Sequence, residues 1–253
     1  VRAPACLLCC LVLALGLAAC GSSDKGKKAP GSAGKPATTA TQTQAQAPAR
    51  TATAPAPAAP PRCVKAKEPA PRAPTTVPKP SATLPAGKAY VAVVDTNCGT
   101  FTIALDVKGS PKTAASFANL ARRGYFDGTF FHRIVHGFVI QGGDPTGTGQ
   151  GGPGYSVVEA PPSSTRYTKG VVAMAKTEIE DPGTSGSQFY VVTADDAQLP
   201  PDYAVLGKVA SGQAVVDLIG LAPTDTANPD PARQERPVDA VVIRSVRIVA
   251  RKG

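Results

Sequence analysis

Two hydrophobic periods run along the second half of this chain. A period of two in short runs bounded by turn residues marks half-buried strands, and a period near 3.6 marks helices. Residues 90–95 (YVAVVD) and 100–105 (TFTIAL) follow the first pattern and are joined by Thr96, Asn97, Cys98 and Gly99, which predicts a hairpin. Further strands are predicted over 129–135, 138–141, 171–175, 189–193 and 204–209, and 238–249 is long enough for one or two closing strands. Residues 111–123 (PKTAASFANLARR) predict a helix. Ser110 can cap it, Pro111 suits its first position, Gly124 can end it, and Phe117, Leu120 and Ala121 mark one face. A second, shorter helix is predicted over 213–220. Many short strands with two helices imply a barrel or sandwich, not alternating β-α-β units.

The pattern is missing further upstream. Between residues 29 and 61 there is no Leu, Ile, Val, Phe or Tyr. A segment of Ala, Pro, Thr, Gln and Gly cannot bury enough apolar area to offset the entropy of ordering. Residues 21–86 are therefore predicted to be a disordered, partly polyproline-like tether, with a globular domain over 87–253. Charge divides the same way. Residues 21–88 hold 11 Lys and Arg against Asp24 and Glu68, while 89–253 hold 15 basic and 16 acidic residues, so the net +9 of the chain belongs to the tether. A near-neutral domain argues against a nucleic-acid partner.

Residues 1–22 read VRAPACLLCCLVLALGLAACGS. The 13-residue apolar run over 7–19 is too short to cross about 30 Å of hydrocarbon as a helix, and with Arg2 before it fits a secretory signal. Its end, Leu17-Ala18-Ala19-Cys20, resembles the lipobox of bacterial lipoproteins. That resemblance implies a signal peptide over 1–19, a lipid anchor on Cys20, and attachment to the extracytoplasmic face of a bacterial cell membrane. With Cys6, Cys9 and Cys10 in the signal and Cys20 lipidated, Cys63 and Cys98 remain as a pair, expected to be a disulfide in an oxidising compartment.

The chemistry concentrates in residues 131–144, FHRIVHGFVIQGGD. Arg133 and Gln141 interrupt apolar, β-prone runs, where an unpartnered polar group is costly. They must be satisfied locally or face a groove. Three other motifs fail their context. The GxGxxG of residues 147–152 is followed by Pro153 and Gly154, not a helix, and reads as a glycine-rich loop. His132 and His136 would share a strand face, but Gly137 suggests a turn and no nearby Cys completes a metal site. No nucleophile elbow is present, and no His follows position 136, as a serine hydrolase requires.

The segments FHRIVHGFVIQGGD, GTGQGGPGY, GVVAMA, GSQFYV and LPPDYAVLGKV follow one another in order. Taken together, residues 88–251 resemble a cyclophilin-type peptidyl-prolyl isomerase. The resemblance implies a mainly β fold, a closed eight-stranded antiparallel barrel capped by two helices, with its groove on the outer face. It implies that Arg133 is catalytic, with Gln141 supporting it or the substrate. Phe138, Val139 and Leu199 form the proline pocket, Met174, Ala175 and Lys176 the edge that binds peptide backbone, and Gln188, Tyr190 and Tyr203 the rest of the groove. Three positions depart from the family: Lys176 stands where Asn is usual, Gln198 where many eukaryotic members have Trp, and Tyr203 where they have His. Residues 176–184 are also longer and more acidic than usual. The implied partners are X-Pro polypeptides, bound by a monomeric domain, and the chemistry calls for no cofactor and no metal. The competing reading is a tethered chaperone or scaffold that holds Pro-containing segments with little turnover.

Overall fold

The computed structural model describes residues 61–252; the expected signal, Cys20 and the stretch up to residue 60 lie outside them. Strand β1 (Lys88–Thr96) turns at Asn97 and Cys98 into β2 (Gly99–Leu105), the hairpin that its alternation predicts. Helix α1 (Pro111–Arg122) follows, then β3 (Thr129–Phe130), β4 (Arg133–Val135), β5 (Val139–Gly142) and β6 (Val157–Val158). Strands β7 (Val171–Met174), β8 (Thr184–Ser185), β9 (Phe189–Val192) and β10 (Val205–Ser211) lead to α2 (Gln213–Gly220) and the last strand, β11 (Val242–Lys252).

Nine strands form one antiparallel ladder in the order β3-β11-β1-β2-β10-β7-β9-β5-β4, and β6 and β8 make a separate pair. Of the expected closed eight-stranded barrel, the ladder shows a curled antiparallel sheet. The ends of the ladder, β3 and β4, do not pair with each other among the described residues. They are one predicted strand broken at Phe131 and His132. There the chain leaves β11, with the Phe131 N–H donating to the Val241 carbonyl, and continues beside β5. The result is a curled sheet with two helices.

The pleat sends alternate side chains to opposite faces. The inner face, with α1 and α2, buries Phe101, Ile103, Phe117, Ile134, Ile140, Phe189 and Leu206 in the main core. Phe117 stacks on Phe126 at 4.7 Å and meets Phe189 edge-on at 5.5 Å. The outer face of β5, β7 and β9 buries a second, smaller cluster of Val139, Tyr167, Ala173, Tyr190 and Val192. A strand buried on both faces reads as a continuous apolar run, as FYVV in β9 does.

Helix α1 is capped differently from the sequence expectation. Ser110 occupies the cap position but its hydroxyl makes no capping bond. Two of the unpaired N–H groups of the first turn are taken by one carboxylate from far along the chain: Glu159 accepts from Lys112 at 3.2 Å and Thr113 at 2.9 Å. At the start of α2, Gly212 has φ 78°, and a Cβ there would lie 2.6 Å from the Thr100 carbonyl, so only glycine fits.

Residues 61–86 depart from the expected tether. They run extended along the domain without forming a strand. The Val64 N–H donates to Asn97 O at 2.8 Å, Arg72 to Pro145 O at 2.9 Å, and Val77 to Pro153 O at 2.9 Å. Val77 and Leu84 pack against the main core, and Cys63 is disulfide-bonded to Cys98. The segment lacks the apolar area to order itself, but the domain supplies partners for its few apolar side chains and its backbone.

Candidate active site

Register aligns the polar residues that interrupt the apolar strands. Arg133 of β4 is opposite Gln141 of β5, Gln141 is opposite Tyr190 of β9, and Tyr190 is opposite Ala173 of β7. Residues opposite one another on neighbouring strands point to the same face. The four therefore form one row across the outer side of the sheet. Above that row lies a cavity of about 280 Å³, lined among others by Arg133, Phe138, Val139, Gln141, Leu199 and Tyr203.

The Arg133 and Gln141 side chains of the row are both held by hydrogen bonds. Arg133 donates from Nε and Nη2 to the two carboxylate oxygens of Glu235, the second at 3.4 Å. Gln141 Nε2 donates to Gln188 Oε1 at 3.1 Å, and Gln188 Nε2 donates in turn to the carbonyls of Gly149 at 2.8 Å and Gly151 at 3.0 Å. Tyr203 meets Tyr190 edge-on at 5.6 Å, and its backbone brackets the Tyr167 hydroxyl: that hydroxyl donates to Tyr203 O at 2.6 Å and accepts from its N–H at 3.0 Å. Burial pushes the Tyr167 phenol up to about 12, so it remains a neutral donor. Burial also raises Tyr190, whose hydroxyl has no hydrogen-bond partner among the described residues although the residue is only 4% exposed.

The glycine-rich loop cradles an anion that belongs to the chain itself. The carboxylate of Asp144, fully buried, accepts N–H bonds from Thr146, Thr148, Gly149 and Gly151, and the hydroxyl of Thr146. Burial alone would raise its pKa, but these hydrogen bonds outweigh it and hold the acid below its usual range. A Cβ on Gly151 would lie 1.9 Å from Asp144 Oδ1, which explains the glycine. The loop thus reads as a carboxylate nest, and it walls a second cavity of about 450 Å³ next to Gln188. His132 is buried beside it with both ring nitrogens unpartnered among the described residues, and burial lowers its pKa to about 4. His136 turns away, its Nε2 against the Ala222 carbonyl at 2.9 Å.

Of the expected site residues, Arg133, Gln141, Phe138, Val139, Ala175, Lys176, Tyr190, Leu199 and Tyr203 line the first cavity, and Gln188 lines the second. Met174 does not join them. By the pleat its side chain points into the main core, 1% exposed, and its N–H donates to Ala204 O. Lys176 bridges the two cavities. Its ammonium sits 5.6 Å from the Tyr203 ring centre and donates to the carbonyls of Thr177 and Glu180. Sequence reasoning does not reach Glu235 or Tyr167. Glu235 lies 102 residues beyond Arg133, in a loop with no periodicity. Tyr167 stands in a stretch that predicts no strand.

The profile of the family described as cyclophilin type peptidyl-prolyl cis-trans isomerase/CLD matches residues 91–248. The chain belongs to the cyclophilin family. Among its relatives, peptidyl-prolyl cis-trans isomerase-like 1 of Neurospora crassa is 41% identical over 160 residues, covering 62% of this chain and 92% of that protein. The Homo sapiens protein of the same name is 40% identical over 154 residues, covering 59% and 87%. A solved cyclophilin-type isomerase of Cryptosporidium parvum superposes with a TM-score of 0.57 at 31% identity, covering 64% of this chain and 99% of that one. The same protein was also crystallised in the presence of the dipeptide Ala-Pro. In this cyclophilin, the matched stretch contains the whole row from Arg133 to Ala173 and leaves out residues 61–86.

Proposed function

We propose that the row of Arg133, Gln141, Tyr190 and Ala173 is the floor of the isomerase groove, and that Arg133 is its catalytic group. An X-Pro bond rotates over about 18–20 kcal/mol because amide resonance resists twisting. At the perpendicular transition state, the prolyl nitrogen becomes pyramidal and gains a lone pair. A fixed N–H donor aimed there stabilises the twisted state more than either planar one, which is the condition for catalysis. Guanidinium suits this, being always charged, planar and rich in donors. Phe138, Val139 and Leu199 hold the pyrrolidine ring, and Gln141 orients the substrate carbonyl. Ala175 and Lys176 face the peptide backbone. The observation that carries this reading is Arg133 in register with Gln141 at a cavity to which Phe138, Val139 and Leu199 contribute an apolar wall. The test is proline isomerisation measured with the full chain on an Ala-Pro peptide. Binding of the peptide with no acceleration above the uncatalysed rate would leave a holding module instead. The seating of the Lys176 ammonium over Tyr203 at the cavity rim favours that second reading.

The location proposed is extracytoplasmic, with a lipid anchor at Cys20, where the clients are X-Pro bonds of exported proteins. The support is the apolar run ending in Leu17-Ala18-Ala19-Cys20, together with the disulfide between Cys63 and Cys98, a bond that persists in oxidising compartments. Mass spectrometry of the membrane fraction should find a diacylglyceryl-modified Cys20; an unmodified Cys20 in the soluble fraction would rule the anchor out.

A further inference from the structure

Arg133 does not hold its own position. Its side chain is long, leaves a three-residue strand at the edge of the sheet, and remains 34% exposed. A flexible side chain of this kind loses much of its catalytic value unless its head is fixed within a fraction of an ångström. The contact that fixes it comes from the loop before β11. Glu235 accepts from both Nε and Nη2, the side-on edge of the guanidinium. That leaves both Nη1 protons and the outer Nη2 proton free of Glu235.

Glu235 is itself anchored at three points. Its carbonyl accepts the N–H of Ile134, the residue after Arg133, at 2.7 Å, so the two partners are tied through backbone as well as side chain. The next residue, Arg236, lies with its guanidinium 4.9 Å from the Phe130 ring centre and donates to the Gly147 carbonyl at 3.3 Å. Arg236 also makes a two-pronged bond to Glu68 of the extended segment, at 2.7 and 3.1 Å. The loop is thus pinned to the catalytic strand, to the glycine-rich loop and to residues 61–86.

We propose that Glu235 is a positioning residue: it presents the free edge of Arg133 to the prolyl nitrogen, and Arg236 and Glu68 brace it. This rests on the reading of Arg133 as the catalytic group. A pair with side chains 34% and 46% exposed contributes little to stability, so its effect should appear in rate and not in melting.

Glu235→Ala in the full chain should lower kcat/KM on an Ala-Pro peptide about tenfold, mostly in kcat, with KM and melting temperature nearly unchanged. Glu235→Gln, which keeps one acceptor in the same shape, should lose less. In an Arg133→Ala background, Glu235→Ala should cost nothing further, because it acts only through Arg133. Equal losses in both backgrounds, an unchanged rate in Glu235→Ala, or a faster one would overturn the proposal. The side-chain Nε–H signal of Arg133 in nitrogen-proton NMR separates this from failure of the catalytic reading. Were the wild-type chain inactive, a slowly exchanging signal lost in Glu235→Ala would still establish the positioning contact, and a signal unaffected by the substitution would refute it.

Discussion

The side-chain amide of Gln141 is tied to that of Gln188, Nε2 to Oε1 at 3.1 Å, and Gln188 reaches on to two carbonyls of the glycine-rich loop. The groove floor and the loop that walls the neighbouring cavity are therefore one hydrogen-bonded unit. Gln188→Ala removes the acceptor of Gln141 and leaves the Gly149 and Gly151 carbonyls without that donor. The expected result is a loss of about tenfold in kcat/KM, with a destabilisation of about 1 kcal/mol. A double-mutant cycle with Gln141→Ala should show coupling; purely additive losses would mean that the two amides act separately.

Arg133→Ala should remove most isomerase activity while the chain stays folded. Loss of a charged donor at the transition state costs about 2–4 kcal/mol, or roughly 30- to 1000-fold in kcat/KM. Arg133→Lys should recover only part, since a point ammonium cannot reproduce the planar fork. Near wild-type turnover by a folded Ala variant would reject the assignment.

His132 makes acid stability a direct readout of burial. Its pKa falls from 6.5 in the unfolded chain to about 4 in the folded one, so the fold favours the neutral ring. The unfolded chain then binds the proton first as pH drops, and stability should fall between about 6.5 and 4 and level off below. The upper bound is about 3 kcal/mol, at 1.36 kcal/mol per pH unit. Asp144 contributes in a lower window, because its depressed acid gives stability that is lost only below the usual carboxylate value. Denaturant melts at pH 7, 5.5 and 4.5 should show the drop in the wild type and a flatter profile in His132→Gln. Parallel profiles would assign the acid response elsewhere.

Tyr190→Phe should stabilise the chain by about 1 kcal/mol, because it deletes a buried hydroxyl that has no partner among the described residues and keeps the ring among Tyr167 and Tyr203. Urea unfolding reads this directly. A destabilised variant would point to a partner for that hydroxyl in solution.

Cys63→Ser should loosen residues 61–86 at their start. The bridge spans 35 residues in sequence, for which the chain-entropy model gives about 4 kcal/mol of stabilisation. Reductant should lower the melting temperature of the wild type and leave Cys63→Ser unaffected. Hydrogen exchange should speed up at Val64, Arg72 and Val77, whose N–H groups bond to the domain. Unchanged exchange would show that the segment docks without the bridge.

The sequence by itself carried the elements wherever a local pattern suffices. Alternation in YVAVVD and TFTIAL and Pro111 at a helix start depend on neighbours within a few residues, because backbone sterics and the pleat act at that range. Arg133 and Gln141 stood out for the same reason, as polar residues inside apolar runs. Four features were decided only by tertiary structure. The inward turn of Met174 follows from where β7 sits between β9 and β10, which no run of four residues specifies. Glu159 caps α1, and Glu235 holds Arg133, across separations of 46 and 102 residues that no period connects. Residues 61–86 are ordered although their own composition argues against it. Ordering entropy is lost by the segment itself, but the apolar surface and carbonyls that offset it belong to other parts of the chain, and only the folded domain brings them within reach.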